Sequence, residues 1–304
     1  MKKKILVLGG GISREREISL NTANQVKNCI KKKYKVLQAD LNSNFETKLK
    51  SFKPEIVFNA LHGRFGEDGY VQTILENNKV KYTHSGVLSS ALAMDKLSSK
   101  QIFIKNKILT PKFIIFKNSL SNIKSLKKEI KKKLKFPVVI KPINEGSSVD
   151  VYISTEKNIK SNISKLYKHK EILIEQFIGG REIQVAILGK RKLGAIELKP
   201  KRKFYDYKAK YYTSSKTKHI IPVNLSKENF NKVLNIALKA HKLLKCRGVT
   251  RSDFKFYKNK FYLLELNTQP GMTKLSLVPE IAAFKGMNFS ALIEWILNDA
   301  SINR

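Results

Sequence analysis

Cysteine is nearly missing from this 304-residue chain: Cys29 and Cys246 lie far apart, without the spacing of a metal knuckle. That excludes a disulfide framework and a thiolate zinc site, and leaves two buried thiols in a reducing compartment as the expectation. Long apolar runs are missing too. Nothing approaches the roughly 18 to 20 consecutive apolar residues of a membrane helix. The start, MKKKILVLGGG, has too short an apolar run for a secretory signal and no cleavage site, so it reads as the first β-strand of a cytoplasmic protein with no membrane partner. Negative charge is scarce, with 24 acidic residues against 60 basic ones and a net charge of +36. Such an excess raises nucleic acid as a partner. Yet only 9 of the 60 are arginine, and the lysines are spread over every segment. A solvated lysine-rich surface accounts for the charge, and no specific nucleic-acid partner is expected. Internal repeats and low-complexity linkers are absent as well. What remains is a globular composition, 42% hydrophobic, long enough for one large or two to three small domains.

KKILVLGGGISREREISLNTANQVKNCIKKK reads as a short strand, a glycine turn and an amphipathic helix, and YKVLQAD and PEIVFNAL follow as strands. Strands alternating with helices predict a doubly wound parallel sheet. A dinucleotide site is the obvious expectation for that turn, with Asp40 at the end of the second strand. It fails in detail, because Arg14 stands where G-x-G-x-x-G needs its third glycine. The same turn can aim Ser13 and Glu15 at a small substrate. After HSGVLSSALAMDKLSSKQIF, which reads as one helix, the pattern changes to strand, loop, strand in FPVVIKPINEGSSVDVYIS, and again in EILIEQFIGGREIQVAIL with a Gly-Gly break. These predict antiparallel hairpins in an α+β arrangement. KSLKKEIKKKLKF reads as a helix with a solvated lysine face.

TRSDFKFYKNKFYLLELN predicts a hairpin turning at Lys258-Asn259-Lys260, with Tyr257 facing Phe261. Asp253 then lies opposite Glu265, and Arg251 opposite Asn267. Side chains alternate, so Phe254, Phe256, Tyr262, Leu264 and Leu266 share the core face, while Arg251, Asp253, Glu265 and Asn267 share the other. Two opposed carboxylates repel unless a cation sits between them, and oxygen ligands without His or Cys suit Mg²⁺ bound together with substrate phosphates. Phosphates need a cradle. Lys141 and the loop NEGSS offer an ammonium, backbone N–H groups and two hydroxyls, although no G-K-[ST] closes the loop. Lys96 in MDKLSSK is a weaker candidate.

In this order the pieces resemble the ATP-grasp enzymes, most closely the D-alanine:D-alanine ligase family. GGGISREREISLNTA, ALHGRFGEDGYVQ, SGVLSSALAMDKLSSK, VVIKPINEGSSV, ILIEQFI, FYDYKAKY, VTRSDF and LLELNTQPGMTKLSLVPE all occur in the family's order over essentially the whole chain. The resemblance implies an ATP-grasp fold, α/β and α+β, with an N-terminal doubly wound parallel-sheet domain over 1–92, a central subdomain over 93–178 and a C-terminal subdomain over 179–304. It implies that ATP phosphorylates one D-alanine and that a second D-alanine attacks the acyl phosphate, giving the dipeptide for peptidoglycan. It also implies a homodimer, and two Mg²⁺ ions with Mn²⁺ as a substitute; the residues alone argue for one ion.

By the same resemblance Asp253, Glu265 and Asn267 hold metal. Lys96, Lys141 and Lys210 meet ATP phosphates, backbone groups of Glu175, Gln176, Phe177 and Ile178 read the adenine edge, and Glu182 takes the ribose. Glu15 holds the first ammonium and forms a set with Ser147 and Tyr211. Arg251 and the Gly271 N–H bind the oxyanion, His62 lies near the substrates, and Ser276, Leu277 and Lys210 take the second carboxylate. FYDYKAKYYTSSKTKHIIP is the implied lid, excluding water from the acyl phosphate. Three departures stand out: Asp150 where many relatives carry glycine, Gln269 in place of a common serine, and Phe177 in a position often held by another large residue. Asp150 is expected to bring negative charge near the phosphates. Rivals are a ligase with another acceptor such as D-lactate, a lysine-rich nucleic-acid binder on a degenerate scaffold, and a dinucleotide oxidoreductase.

Overall fold

In the computed structural model, residues 2–42, 44–117, 122–146, 149–199, 217–274 and 276–303 are described. Ser147, Lys210, Tyr211 and most of the expected lid lie outside them. The first 94 residues give β1 (Lys4–Gly9), α1 (Arg16–Ile30), β2 (Lys35–Asp40), α2 (Phe45–Phe52), β3 (Ile56–Asn59), α3 (Tyr70–Asn77), β4 (Lys81–Tyr82) and α4 (Val87–Met94). The strands form a parallel sheet in the order β2-β1-β3-β4. β1 is apolar on both faces because both are covered: Ile5 and Val7 enter one core with Ala23, Val26 and Ile30 of α1, while Leu6 and Leu8 enter another with Phe45 and Leu49 of α2. Each such fully buried aliphatic side chain contributes about 1.5–3 kcal/mol.

The next stretch gives α5 (Lys96–Lys105), β5 (Phe113–Lys117), α6 (Ile123–Lys133), β6 (Val138–Pro142), β7 (Tyr152–Ser154), α7 (Ile159–Ser164) and β8 (Glu171–Gln176). Its sheet, β5-β8-β6-β7, is antiparallel throughout. The lysine-rich α6 buries only Ile123, Leu126 and Ile130 against it. The expected single helix in the stretch 84–103 is two: Asp95 leaves helical geometry and accepts the Ser98 N–H at 2.7 Å, capping α5.

Then come β9 (Arg181–Leu188), β10 (Arg191–Lys199), β11 (Lys218–Ile220), α8 (Lys227–Leu243), β12 (Val249–Tyr257), β13 (Lys260–Asn267), α9 (Leu277–Phe284) and α10 (Phe289–Asn298). They build an antiparallel sheet, β11-β10-β9-β12-β13. β8 and β9, expected to pair as a hairpin, belong to different sheets, and β9 pairs with β10 and β12 instead. Gly179-Gly180 is the crossing between sheets. Gly180 has φ +86°, and a Cβ there would stand 2.3 Å from the Phe256 carbonyl oxygen, so only glycine passes. α8 covers one face of this sheet, and α9 and α10 cover the other. Those two helices also share the core of β1 and α1, locking the first and third sheets together. Cys29 and Cys246 are free and half-buried rather than fully buried, packed at core edges.

Candidate active site

A cleft opens between the second and third sheets. Lys141 (β6), Glu175 and Gln176 (β8), Phe177 and Ile178 after it, and Glu182 (β9) line it, with Lys96 reaching in from the first residue of α5. All seven sequence-expected nucleotide residues among the described ones therefore face one cavity. Val139, Val151, Ile178 and Leu264 give it apolar walls, the chemistry that a flat heterocycle needs. The Glu182 carboxylate sits 2.9 Å from the Lys255 ammonium. Lys96 Nζ donates to the Glu145 carbonyl of the phosphate loop at 2.5 Å and lies 3.6 Å from Glu265. Lys141 Nζ lies 2.8 Å from Glu175. Glu175 also meets Lys100 Nζ at 2.7 Å, and Lys100 was not expected from sequence. Burial opposes the charge on Glu175, but the two ammoniums outweigh it and hold its pKa below the ordinary value.

At the far end of the cleft the β12–β13 register places Asp253 opposite Glu265 and Arg251 opposite Asn267, as expected. Nearer the turn the register differs. Tyr257 faces Lys260, not Phe261, because the turn has two residues, Lys258 and Asn259, both at positive φ (46° and 58°). That turn matches the twist of paired strands, and the extra residue appears as a bulge at Leu264, which lines the cleft. Phe261 and Leu263 take the core positions expected of Tyr262 and Leu264. Asp253 is buried and held by Arg251 through Nε at 2.8 Å and Nη2 at 3.1 Å. With its amide nitrogen turned toward the carboxylate, Gln184 donates to Asp253 as well. The Asn267 side-chain oxygen accepts the Gln269 N–H at 2.8 Å. Two carboxylates and one amide oxygen, with no His or Cys, form a hard-oxygen donor set short of a full shell. They fit Mg²⁺ completed by phosphates, and Arg251 and Lys96 lie beside the same carboxylates.

The remaining expected residues lie around the glycine turn after β1. Glu15, buried, puts Oε2 3.3 Å from the points where a Cβ would stand at Gly63 and at Gly146. The loop after β6 thus approaches Glu15 through Gly146. His62 is buried with Nδ1 3.2 Å from Glu67, a partner unmarked in the sequence, and Nε2 3.4 Å from Thr22 Oγ1. Burial works against its imidazolium, but the Glu67 hydrogen bond and charge, with Glu15, bring its pKa above the ordinary value. Ser276 Oγ accepts from Thr273 N at 3.1 Å, and a Cβ at Gly271 would stand 3.0 Å from that oxygen. The glycine after Pro270 therefore makes room for Ser276, which precedes Leu277 at the start of α9.

The departures find partners. Asp150 has φ +56°, a left-handed conformation that glycine adopts most easily, and its carboxylate meets Lys168 at 3.1 Å, Arg14 at 3.6 Å and His169 at 3.7 Å. Its charge is taken up by Lys168 and Arg14, with His169 beside them. Gln269 is buried and donates to the Leu61 carbonyl beside His62, tying the NTQPG turn to the first sheet. Phe177 is part of the cleft wall. Asp40 accepts from Gly11 N at 2.7 Å and pairs with Arg16, so it closes the glycine turn and does not serve a dinucleotide ribose.

Comparisons with known proteins show the family. The family model for the D-ala D-ala ligase C-terminus matches residues 103–298. The chain is 64% identical to the D-alanine–D-alanine ligase of Pelagibacter ubique (strain HTCC1062), over 100% of both. It superposes on the ATP-complexed D-alanine–D-alanine ligase from Bacillus anthracis with a TM-score of 0.84 and 33% identity, covering 98% of this chain and 97% of that one. It also superposes on the VanG D-Ala:D-Ser ligase from Enterococcus faecalis with a TM-score of 0.82 and 27% identity, covering 98% and 99%. With that identity along its full length and these residues on one cleft, the chain belongs to the D-alanine–D-alanine ligase family.

Proposed function

We propose that the chain joins two D-alanine molecules to D-alanyl-D-alanine through D-alanyl phosphate, using ATP, for peptidoglycan precursors. The observation that supports this best is the convergence of Lys96, Lys141, Asp253 and Glu265 on one apolar-walled cleft. Adenine lies between the apolar walls with its edge on the backbone of Glu175 to Ile178, and Glu182 takes the ribose. Lys96 and Lys141 bind phosphate oxygens. Asp253, Glu265 and Asn267 hold Mg²⁺, which when bound neutralises phosphate charge. Glu15 binds the ammonium of the first D-alanine, whose carboxylate oxygen displaces ADP from the γ-phosphorus. The free amine of the second D-alanine then attacks the acyl carbon, the carbon–oxygen bond to the phosphoryl group breaks, and phosphate leaves with that oxygen and the proton the amine gives up. Arg251 and the Gly271 N–H stabilise the tetrahedral oxyanion, while Ser276 and the N-terminus of α9 take the second carboxylate. His62, paired with Glu67, borders the amino-acid end.

The proposed division is 1–92 for amino-acid binding and 93–178 and 179–304 for gripping ATP. No helix among the described residues is long and apolar enough to cross a membrane, and a cytoplasmic homodimer is the proposed state. The test is phosphate release from ATP and Mg²⁺ with D-alanine, L-alanine, or D-alanine plus D-lactate, with products identified by mass spectrometry. D-alanine-dependent release with the dipeptide as product supports the reading; a depsipeptide as main product, or no release from folded protein, overturns it.

A further inference from the structure

Lys96 and Lys100 stand one turn apart on α5 and direct two ammonium groups to one side of the helix. Lys96 borders the cleft, whereas Lys100 is 0% exposed and beneath it, behind the Glu175 carboxylate. Lys100 cannot touch a nucleotide. Its surroundings are Glu175 at 2.7 Å from β8, Lys141 from β6 on that carboxylate's other oxygen at 2.8 Å, Glu265 from β13 further off, and the Phe113 ring of β5 at 5.9 Å. Two cations share one buried carboxylate. Resting on the reading of this cleft as the ATP site, we propose that Lys100 is a positioning residue for the nucleotide. It keeps Glu175 in place as the floor of the cleft while Lys141 turns from Glu175 to the phosphates.

The reason is charge balance. A buried carboxylate stripped of its cation is strongly disfavoured, so without Lys100 the departure of Lys141 would strand Glu175 or drag it after the ammonium. With Lys100 in place, Lys141 exchanges one anion for another at little cost. Burial, opposed by Glu175, pushes the Lys100 pKa down to about 8. A phosphate accepting Lys141 removes a competing ammonium from Glu175 and favours the charged form of Lys100.

The test compares Lys100→Met, Glu175→Gln, the double variant and Lys141→Ala by calorimetric ADP binding with Mg²⁺ and by steady-state KM for ATP and for D-alanine across pH. Lys100→Met is expected to weaken ADP about tenfold, the ratio for about 1.4 kcal/mol, and to leave the KM for D-alanine unchanged. In the double variant, where no buried carboxylate needs holding, part of that loss returns. The wild-type KM for ATP is expected to rise above about pH 8, and the Lys100 variant to lack that rise. Should Lys100→Met not fold, Lys100→Gln, which keeps a donor but no charge, takes its place with the same expectations. Unchanged ADP affinity in the Lys100 variant, equal losses for both substrates, or no recovery in the double variant overturns the proposal. Lys141→Ala separates the two levels: if it leaves ADP affinity intact, the ATP site itself is misplaced and the proposal falls with it. If it weakens ADP while Lys100→Met does not, only the role of Lys100 fails.

Discussion

Glu265→Gln separates the metal role of the β12–β13 edge from a merely structural one. In the ligand-free protein Glu265 faces Asp253 across the strand pair, and Lys96 stands 3.6 Å away. Opposed like charges cost roughly 0.2–1 kcal/mol, while a loose ion pair to a side chain 27% exposed contributes at most about 0.5 kcal/mol. The two nearly cancel, so the variant should keep its stability within about 1 kcal/mol, a Tm change of about 2–4 °C at most for a chain of this size. Activity should behave differently. Loss of one of two carboxylate ligands removes several kcal/mol of transition-state charge stabilisation, and about 4 kcal/mol corresponds to about a 10³-fold fall in phosphate release. Thermal denaturation with and without Mg²⁺ and ADP completes the assay. Saturation at about 100 times Kd adds about 2.7 kcal/mol to the wild type, and the variant should lose most of that gain. A variant that keeps its turnover, or one that loses turnover together with a large drop in ligand-free Tm, would refute the reasoning.

Gly271→Ala places a methyl 3.0 Å from Ser276 Oγ and should lower kcat/KM for D-alanine by about 10- to 100-fold through misplacement of the acceptor site, with the KM for ATP unmoved. Asp150→Gly relieves about 1 kcal/mol of left-handed strain and gives up mostly exposed ion pairs worth about as much. Its Tm and KM for ATP should stay near wild type in melting and kinetic assays. A tenfold rise in that KM would show that the link to Arg14 holds the phosphate loop. His84 is buried with its pKa lowered to about 3. Its unfolded-state pKa of about 6.5 is higher, so the unfolded chain binds the proton first and stability falls as pH drops from about 6.5 toward 3, by about 2 kcal/mol at pH 5. Urea unfolding of His84→Gln should show a shallower acid slope than wild type; parallel slopes would contradict the burial of a neutral imidazole.

Much of this molecule could be read along the chain because short periods carry it. The alternation of Ile5 and Val7 with Leu6 and Leu8 needs two covered faces, and the two-residue period groups Arg251 with Asp253 and Glu265 with Asn267, while their facing each other depends on the bulge at Leu264 as well. The bulge at Leu264 could not be read, since it follows from the handedness of the Lys258-Asn259 turn rather than from hydrophobicity. The break at Asp95 hid because apolar spacing runs on through it, and only the Asp95-to-Ser98 cap marks the new helix. Gly179-Gly180 fits a hairpin and a crossing equally well as sequence; the Phe256 carbonyl against Gly180 decides. Lys100 and Glu67 escaped for another reason. Their partners are distant or unmarked, and a lysine on a helix shows no sign of burial until the Glu175 strand is laid against it.

Oxygen tracing distinguishes an acyl phosphate from any route that leaves the carboxylate oxygens on carbon. D-alanine labelled with ¹⁸O in its carboxylate is turned over with ATP and Mg²⁺, and the released phosphate is examined by mass spectrometry. One ¹⁸O is expected per phosphate formed with each dipeptide, because the carboxylate oxygen that attacks phosphorus leaves with it. Unlabelled phosphate alongside dipeptide would contradict the acyl phosphate.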